Sequence, residues 1–335
     1  MIKAPFSISE LDQMADDFYN EIQDNIQVSA NIMARPVDLF TPLFTYLHNN
    51  ISEIIKGRPN VLERHIPSLN NFAHNIKTSH RLANPLLASR KVNAWFKTNV
   101  FQIFNYDGAN PSFTKYKGGE LAYNHAARLN LKTCPYCNSQ FTFTIKNKKY
   151  KTRPHFDHFY NKARYPYFAL SFYNLIPSCY VCNSNLKGAK DFKYSSHIHP
   201  FIEGIEGLYR FKTNIDSVDF LTGKKDFSIS MEPRSTADPI NIERARKSLL
   251  DFQIEDRYNY HKDYAGEIIK KSYFYNNTSI KELLDSYTSD GKKLFQSEGE
   301  IIELILGNYI HESRLHKRIL SKLTKDIAEE FGIKL

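Results

Sequence analysis

An α+β fold is predicted, with two mostly α-helical regions enclosing a shorter, strand-containing segment held by cysteines. Three observations predict it. Apolar residues recur at three- and four-residue spacing over the first 115 residues and again after Pro239. Between them, period-two alternation takes over in "QFTFTI". All four cysteines of the chain fall in that middle segment. The expected division is a helical N-terminal region 1–118, a central region 119–232 and a helical C-terminal region 233–335.

The N-terminal helix is expected to start at Ser9 and to present Leu11, Met14, Phe18, Ile22 and Ile26 on one face. "FTPLFTYLHNNISEII" and "KVNAWFKTNVFQIF" continue the helical pattern, and "YDGANPSFTKYKGG" reads as a loop and boundary. His48, His65, His74 and His80 are scattered through this region and read as surface or core residues.

From Gly119 the pattern changes. "ELAYNHAARLN" predicts a short helix, and "QFTFTIKNKKYKTRPHFDHFY" a hairpin turning at Asn-Lys-Lys. "YPYFALSFYNLIPSCYVCNSNLKGAKDF" is expected as a loop and then a short helix. "LYRFKTN" and "DFSISM" are expected as two strands turning near Gly223. Beyond Pro239, "NIERARKSLLDF", "IEDRYNYHKDYAGEIIKKSYF" and "SEGEIIELILGNYI" read as helices, the last with a Ser297–Glu300 capping box. "HKRILSKLTKDIAEEFGI" reads as a packing helix.

A chain of 335 residues with 41% hydrophobic and 24% charged residues has the balance of a soluble globular protein. It has no apolar run long enough to span a bilayer, and "MIKAPFSISELDQ" lacks the apolar core of a signal peptide. A cytoplasmic location without membrane contact is the expectation. Net charge is +9, but it is concentrated: between Leu121 and Pro200, 12 Lys or Arg face only Asp157 and Asp191. That local +10 leaves −1 for the other 255 residues. A polyanionic partner accounts for such concentration, while "KNKKYKTR" by itself also suits a solvated loop.

The cysteines form two pairs, Cys134–Cys137 and Cys179–Cys182, each with the two-residue spacing of a metal knuckle. Disulfides do not suit a cytoplasmic chain, and a redox role for one pair leaves the other unexplained. One structural zinc held by four thiolates follows. Such a site is closed to substrate, so reactive groups must be sought between the knuckles. There "PHFDHFY" places Asp157 beside His158, with Asn174 and Asn183 following. Histidine suits proton abstraction from water near neutral pH, and a carboxylate with an amide oxygen suits a hard cation.

"HFDHFY…FYNLIPSCYVCNSNLKG" resembles the HNH endonuclease signature. The resemblance implies a ββα-metal nuclease core with structural zinc, flanked by mostly α-helical N- and C-terminal regions. It makes His158 the general base, Asp157 and Asn183 the ligands of one catalytic Mg²⁺ or Mn²⁺, and Asn174 the brace of the histidine loop. It further implies DNA, usually double-stranded, as substrate. Lys187 stands four residues after Asn183, where many members have three, so its contact with the scissile phosphate stays open. "TCPYCN" and "YIHESRLHKRILSKLTKDI" are similar to HNH proteins of bacterial anti-phage defence, including the Septu-type nuclease subunit, which works with an ATPase. A partner that senses or activates is one reading; a zinc-stapled nucleic-acid binder without catalysis is another.

Lys148, Lys149, Lys151, Arg153, Lys187 and Lys190 are candidates for backbone phosphate. His155 is expected on the same strand face as Asp157, with a supporting or a purely structural role. His197 and His199 read as structural. Of Phe141, Phe143, Phe156, Tyr165, Phe168 and Phe172, most are expected in the core rather than stacked on bases.

Overall fold

The first helix begins at Ser7, two residues earlier than its sequence suggests. Ser7 Oγ accepts from Glu10 N at 3.2 Å, and Glu10 Oε2 accepts from Ser7 N at 2.7 Å, a reciprocal cap. In a computed structural model of the chain, which describes residues 1–217, 219–220, 226–289 and 292–334, helix α1 (Ile8–Asn25) buries Leu11, Ala15, Phe18 and Ile22. Helices α2 (Val28–Met33), α3 (Thr41–Asn49) and α4 (Ile51–Lys56) follow. Next come the long α5 (Pro59–Ala83), which begins on a proline, and α6 (Ser89–Phe101), packed against it. Helix α7 (Glu120–Leu129) leads into the first cysteine pair.

The Asn-Lys-Lys turn is present. Asn147 Oδ1 accepts from Lys149 N and Tyr150 N, at 3.0 and 2.7 Å, and closes a short exposed hairpin of β1 (Ile145–Lys146) and β2 (Lys151–Thr152). The strand carrying Asp157 and His158 does not extend it. Pro154, which has no N–H for a ladder, separates β2 from β3 (His155–His158). β3 pairs antiparallel with β4 (Leu175–Ser178), with His155 opposite Ser178 and His158 opposite Leu175. Every residue of β4 is buried, so it lacks the alternation that marks a strand in sequence. Of the six aromatics, most of them expected in the core, Phe141 and Phe143 are about half exposed at 54% and 53%. Phe156, Tyr165, Phe168 and Phe172 are buried.

After β4 the chain makes a π-helical turn, Val181–Lys187, in which Gly188 N bonds to Asn183 O at 3.0 Å, five residues apart. β5 (Tyr209–Asn214) and β6 (Ser228–Pro233) pair antiparallel as expected; the turn proposed at Gly223 lies outside the described residues. The C-terminal region contains α8 (Pro239–Asp251), α9 (Ile254–Tyr258), α10 (Lys262–Phe274), α11 (Asn277–Ser286), α12 (Glu298–Leu306) and α13 (Ser321–Glu330). Ser297 caps α12 through Glu300 N.

Helix α13 seals the outer edge of β5. Asp326 Oδ2 accepts from Phe211 N at 2.8 Å and Glu330 Oε2 from Thr213 N at 3.0 Å. A four-residue helical step of about 6 Å nearly matches a two-residue strand step of about 6.8 Å, so the carboxylates meet alternate N–H groups. The three regions share one core. Buried side chains run from Leu11 and Phe18 of α1, through Phe156 and Leu175, to Leu323 and Ile327 of α13. Tyr160 OH donates to Pro59 O at 2.7 Å and Tyr173 OH to Asp12 Oδ1 at 2.8 Å, joining the strand segment to the N-terminal helices.

Candidate functional site

Each cysteine pair sits on a tight turn. Asn138 N bonds to Cys134 O at 2.7 Å with Asn138 in the left-handed region, φ 51°. Cys182 N points at Cys179 Sγ at 3.4 Å. All four sulfurs are buried and lie within 4.8 Å of one another, with Cys137 and Cys179 separated by 3.9 Å. A tetrahedral zinc with bonds of about 2.3 Å requires sulfurs about 3.8 Å apart, so the set fits one such ion. Arg257 Nη1 approaches Cys182 Sγ at 3.3 Å and offsets part of the thiolate charge. Tyr258 OH donates to Cys137 O at 2.6 Å. The first turn is tied to the far end of the fold, because Asn138 Oδ1 accepts from Ser321 Oγ and Lys322 N, at 3.0 and 3.1 Å.

Beside this cluster opens a cavity of about 630 Å³ whose wall includes Lys151, Arg153, His155, His158, Lys162 and Asn183. His158 is fixed there from behind. Its Nε2 lies 3.1 Å from Ala169 O, and its ring meets Tyr106 edge-on with centroids 4.5 Å apart. A carbonyl only accepts, so Nε2 carries the proton and Nδ1 keeps the lone pair. Burial, reinforced by the charges of Lys162 and Lys187, pushes the imidazole down to about 3, and the ring is neutral at pH 7.

Asn174 holds the backbone just beyond His158. Its Oδ1 accepts from Tyr160 N at 2.6 Å, and its Nδ2 donates to Tyr160 O and Phe168 O at 3.1 and 2.8 Å. All three contacts are buried. A bracing role is what this geometry provides.

Asp157 is placed differently from His158. It is buried among interior groups, with Oδ2 accepting from Tyr136 OH at 2.7 Å and Oδ1 paired with Lys187 Nζ at 3.0 Å. Lys187 also donates to His158 O at 2.6 Å and is itself only 1% exposed. It belongs to the interior and does not line the cavity. His155 is exposed, meets the Tyr180 ring edge-on at 5.4 Å, and shares the cavity wall with His158 rather than with Asp157. Asn183 is half-buried, and among the described residues no hydrogen bond involves its side chain. The Asp157–Asn183 pair does not fit a hard cation in this arrangement, because both carboxylate oxygens are engaged away from the cavity.

The basic candidates separate. Lys151 and Arg153 reach the cavity, and Arg153 lies over the Phe156 ring at 5.1 Å. Lys148 and Lys149 stand exposed at the hairpin tip, and Lys190 is paired with Asp251 at 2.6 Å. His197 bonds to Asp251 at 3.1 Å and stacks on Phe192, while His199 bonds to Tyr173 O at 2.8 Å, fully buried. Sequence reasoning missed Tyr136, Tyr106, Lys162 and Arg257. Tyr136 lies inside the first knuckle and Lys162 four residues after His158, so proximity to recognised residues was the available signal. Comparison with protein-family models, with characterised proteins and with solved structures finds no match.

Proposed function

We propose that this chain is an HNH-type endonuclease that hydrolyses DNA phosphodiester bonds, with His158 as general base. The observation that carries the reading is His158 itself, held in one neutral tautomer on the wall of a cation-rich cavity. Nδ1 takes a proton from water as the water oxygen bonds to phosphorus. The bond from phosphorus to the leaving sugar oxygen breaks in line, and that oxygen takes a proton from solvent. Lys151 and Arg153 offset the charge that builds on the phosphate oxygens, joined by Lys162 where it exchanges its partner Asp107, at 2.6 Å, for phosphate; a phosphate among them also draws the His158 pKa upward. The resemblance implies one Mg²⁺ or Mn²⁺ on Asp157 and Asn183. That pair accepts such an ion only after Lys187 leaves the carboxylate, so no step above runs through it.

The two stretches similar to anti-phage HNH proteins meet in the fold, where Asn138 contacts Leu315, Arg318, Ser321 and Lys322. The resemblance of these two stretches, not their contact, is what supports a defence role with an ATPase or sensor as partner. The test is nicking of supercoiled plasmid with Mg²⁺ or Mn²⁺, alongside His158→Ala and a chelator. Loss of roughly 100-fold or more in the variant is expected; equal nicking by both proteins refutes the assignment. The sequestered Asp157 favours a second reading, a zinc-stapled nucleic-acid binder. Its signature is binding that survives His158→Ala with no cleavage under either ion.

A further inference from the structure

A larger cleft, of about 750 Å³, lies between α5 and α6. On α5, His74, Lys77 and Arg81 follow at three and four residues and share one face; on α6, Asn93 and Lys97 do the same. The third wall is the turn Asn161–Arg164, of which Asn161, Ala163 and Arg164 face the cleft while Lys162 lines the His158 cavity. The two hollows are therefore separated by a single turn of chain.

Among the described residues, three cations of this cleft carry no counterion. Lys56 and Arg58, on the neighbouring surface, are paired with Asp16 and Asp12. For Lys77, Arg81 and Lys97 no ion pair or side-chain hydrogen bond occurs among the described residues; only Arg164 has a counterion, Asp191 at 2.7 Å. Lys77 is held in place over the Phe96 ring at 4.8 Å. Burial and the charge of Lys97 lower its pKa. Like charges gathered without an acid disfavour the free protein and favour an anion between them. About half of the remaining lining residues carry amide or hydroxyl groups, which suit phosphate and sugar oxygens.

Resting on the nuclease reading, we infer that the α5–α6 cleft is a second, non-catalytic groove that grips the nucleic-acid backbone leaving the His158 cavity. The N-terminal helices then belong to the substrate-binding surface. The test is fluorescence anisotropy of a fluorescein-labelled 30-base-pair duplex across a NaCl series, with His158→Ala as the parent so that nothing is cut. Adding Lys77→Gln, Arg81→Gln and Lys97→Gln is expected to weaken binding at least tenfold. It should also flatten the slope of log K against log salt by about 2–3, close to 0.9 per lost phosphate contact. Arg81→Gln alone, on the exposed rim, should flatten it by about one, and equal urea midpoints establish that the variants are folded. Unchanged affinity and slope overturn the groove, leaving the nuclease reading intact if the wild type cuts plasmid. A parent that binds no duplex overturns both.

Discussion

Asp157→Asn tests whether the carboxylate serves the core or a cation. Lys187 and Asp157 are 1% and 2% exposed and 3.0 Å apart. In the variant an amide oxygen can still accept from Tyr136, but Lys187 loses the one counter-charge it has among the described residues while remaining enclosed beneath His158 O and the Phe192 ring. Removing one partner of a buried ion pair costs about 3–5 kcal/mol. With a urea m-value of about 3 kcal/mol/M for a chain of this size, the midpoint should fall by about 1–1.7 M. In a cycle of Asp157→Leu, Lys187→Met and the two combined, the double variant removes both charges and should recover most of that loss, giving a coupling of about 2–4 kcal/mol. The measurements are made in zinc-replete buffer without magnesium. Additive single variants, or an Asp157→Asn protein as stable as wild type, would refute the ion pair and return Asp157 to the cavity as a cation ligand.

Acid should destabilise the fold before it protonates most carboxylates. His125 and His199 are fully buried and pushed down to about 3, so their stabilising contribution is complete above pH 6.5 and is lost as pH falls toward 3. Between pH 7 and 5 each should remove about 2 kcal/mol; an unchanged urea midpoint would contradict this. Among the described residues His125 makes no well-formed hydrogen bond at either ring nitrogen, with the Leu175 backbone as a polar neighbour, and it lies among Phe18, Phe113, Phe156 and Phe172. His125→Phe should therefore raise the stability by about 1 kcal/mol and flatten the acid slope, as parallel urea titrations would show. Metal analysis should find about one zinc per chain, and Cys182→Ser should lose it and unfold at lower temperature; sub-stoichiometric zinc in the wild type would remove the site. Asn174→Ala breaks three buried hydrogen bonds and should cost about 2–4 kcal/mol, so wild-type stability would mean the brace is not needed.

The parts legible in sequence were those fixed by neighbours along the chain. Two-residue cysteine spacing and the order Asp-His, Asn, Asn brought together the sulfur cluster and the groups around His158. The local turn at Asn147 was legible for the same reason. The partner of β3 was not. Alternation in "QFTFTI" pointed to the adjacent segment, whereas β4, buried on both faces and containing Pro177, gives no period to detect. Helix α5 carries Pro67 in its interior, a breaker that hid its length. The cleft that this helix forms with α6 is a tertiary feature that no local spacing announces. The capture of Asp157 by Tyr136 and Lys187 is a tertiary choice, invisible in a motif that lists only residue order.

The attachment of Asn138 to residues 315–322 has a kinetic consequence. Sequence separations of 177 to 184 residues join the first zinc turn to α13 and the segment before it. Contacts so distant along the chain form late, after the loop-closure entropy of everything between them has been met. During synthesis, the cysteine turns and the His158 strand emerge well before the segment that anchors them. The cysteine-bearing central region thus gains its full rigidity only when the distant helix docks, and a growing chain passes through a long stage with an unfinished centre.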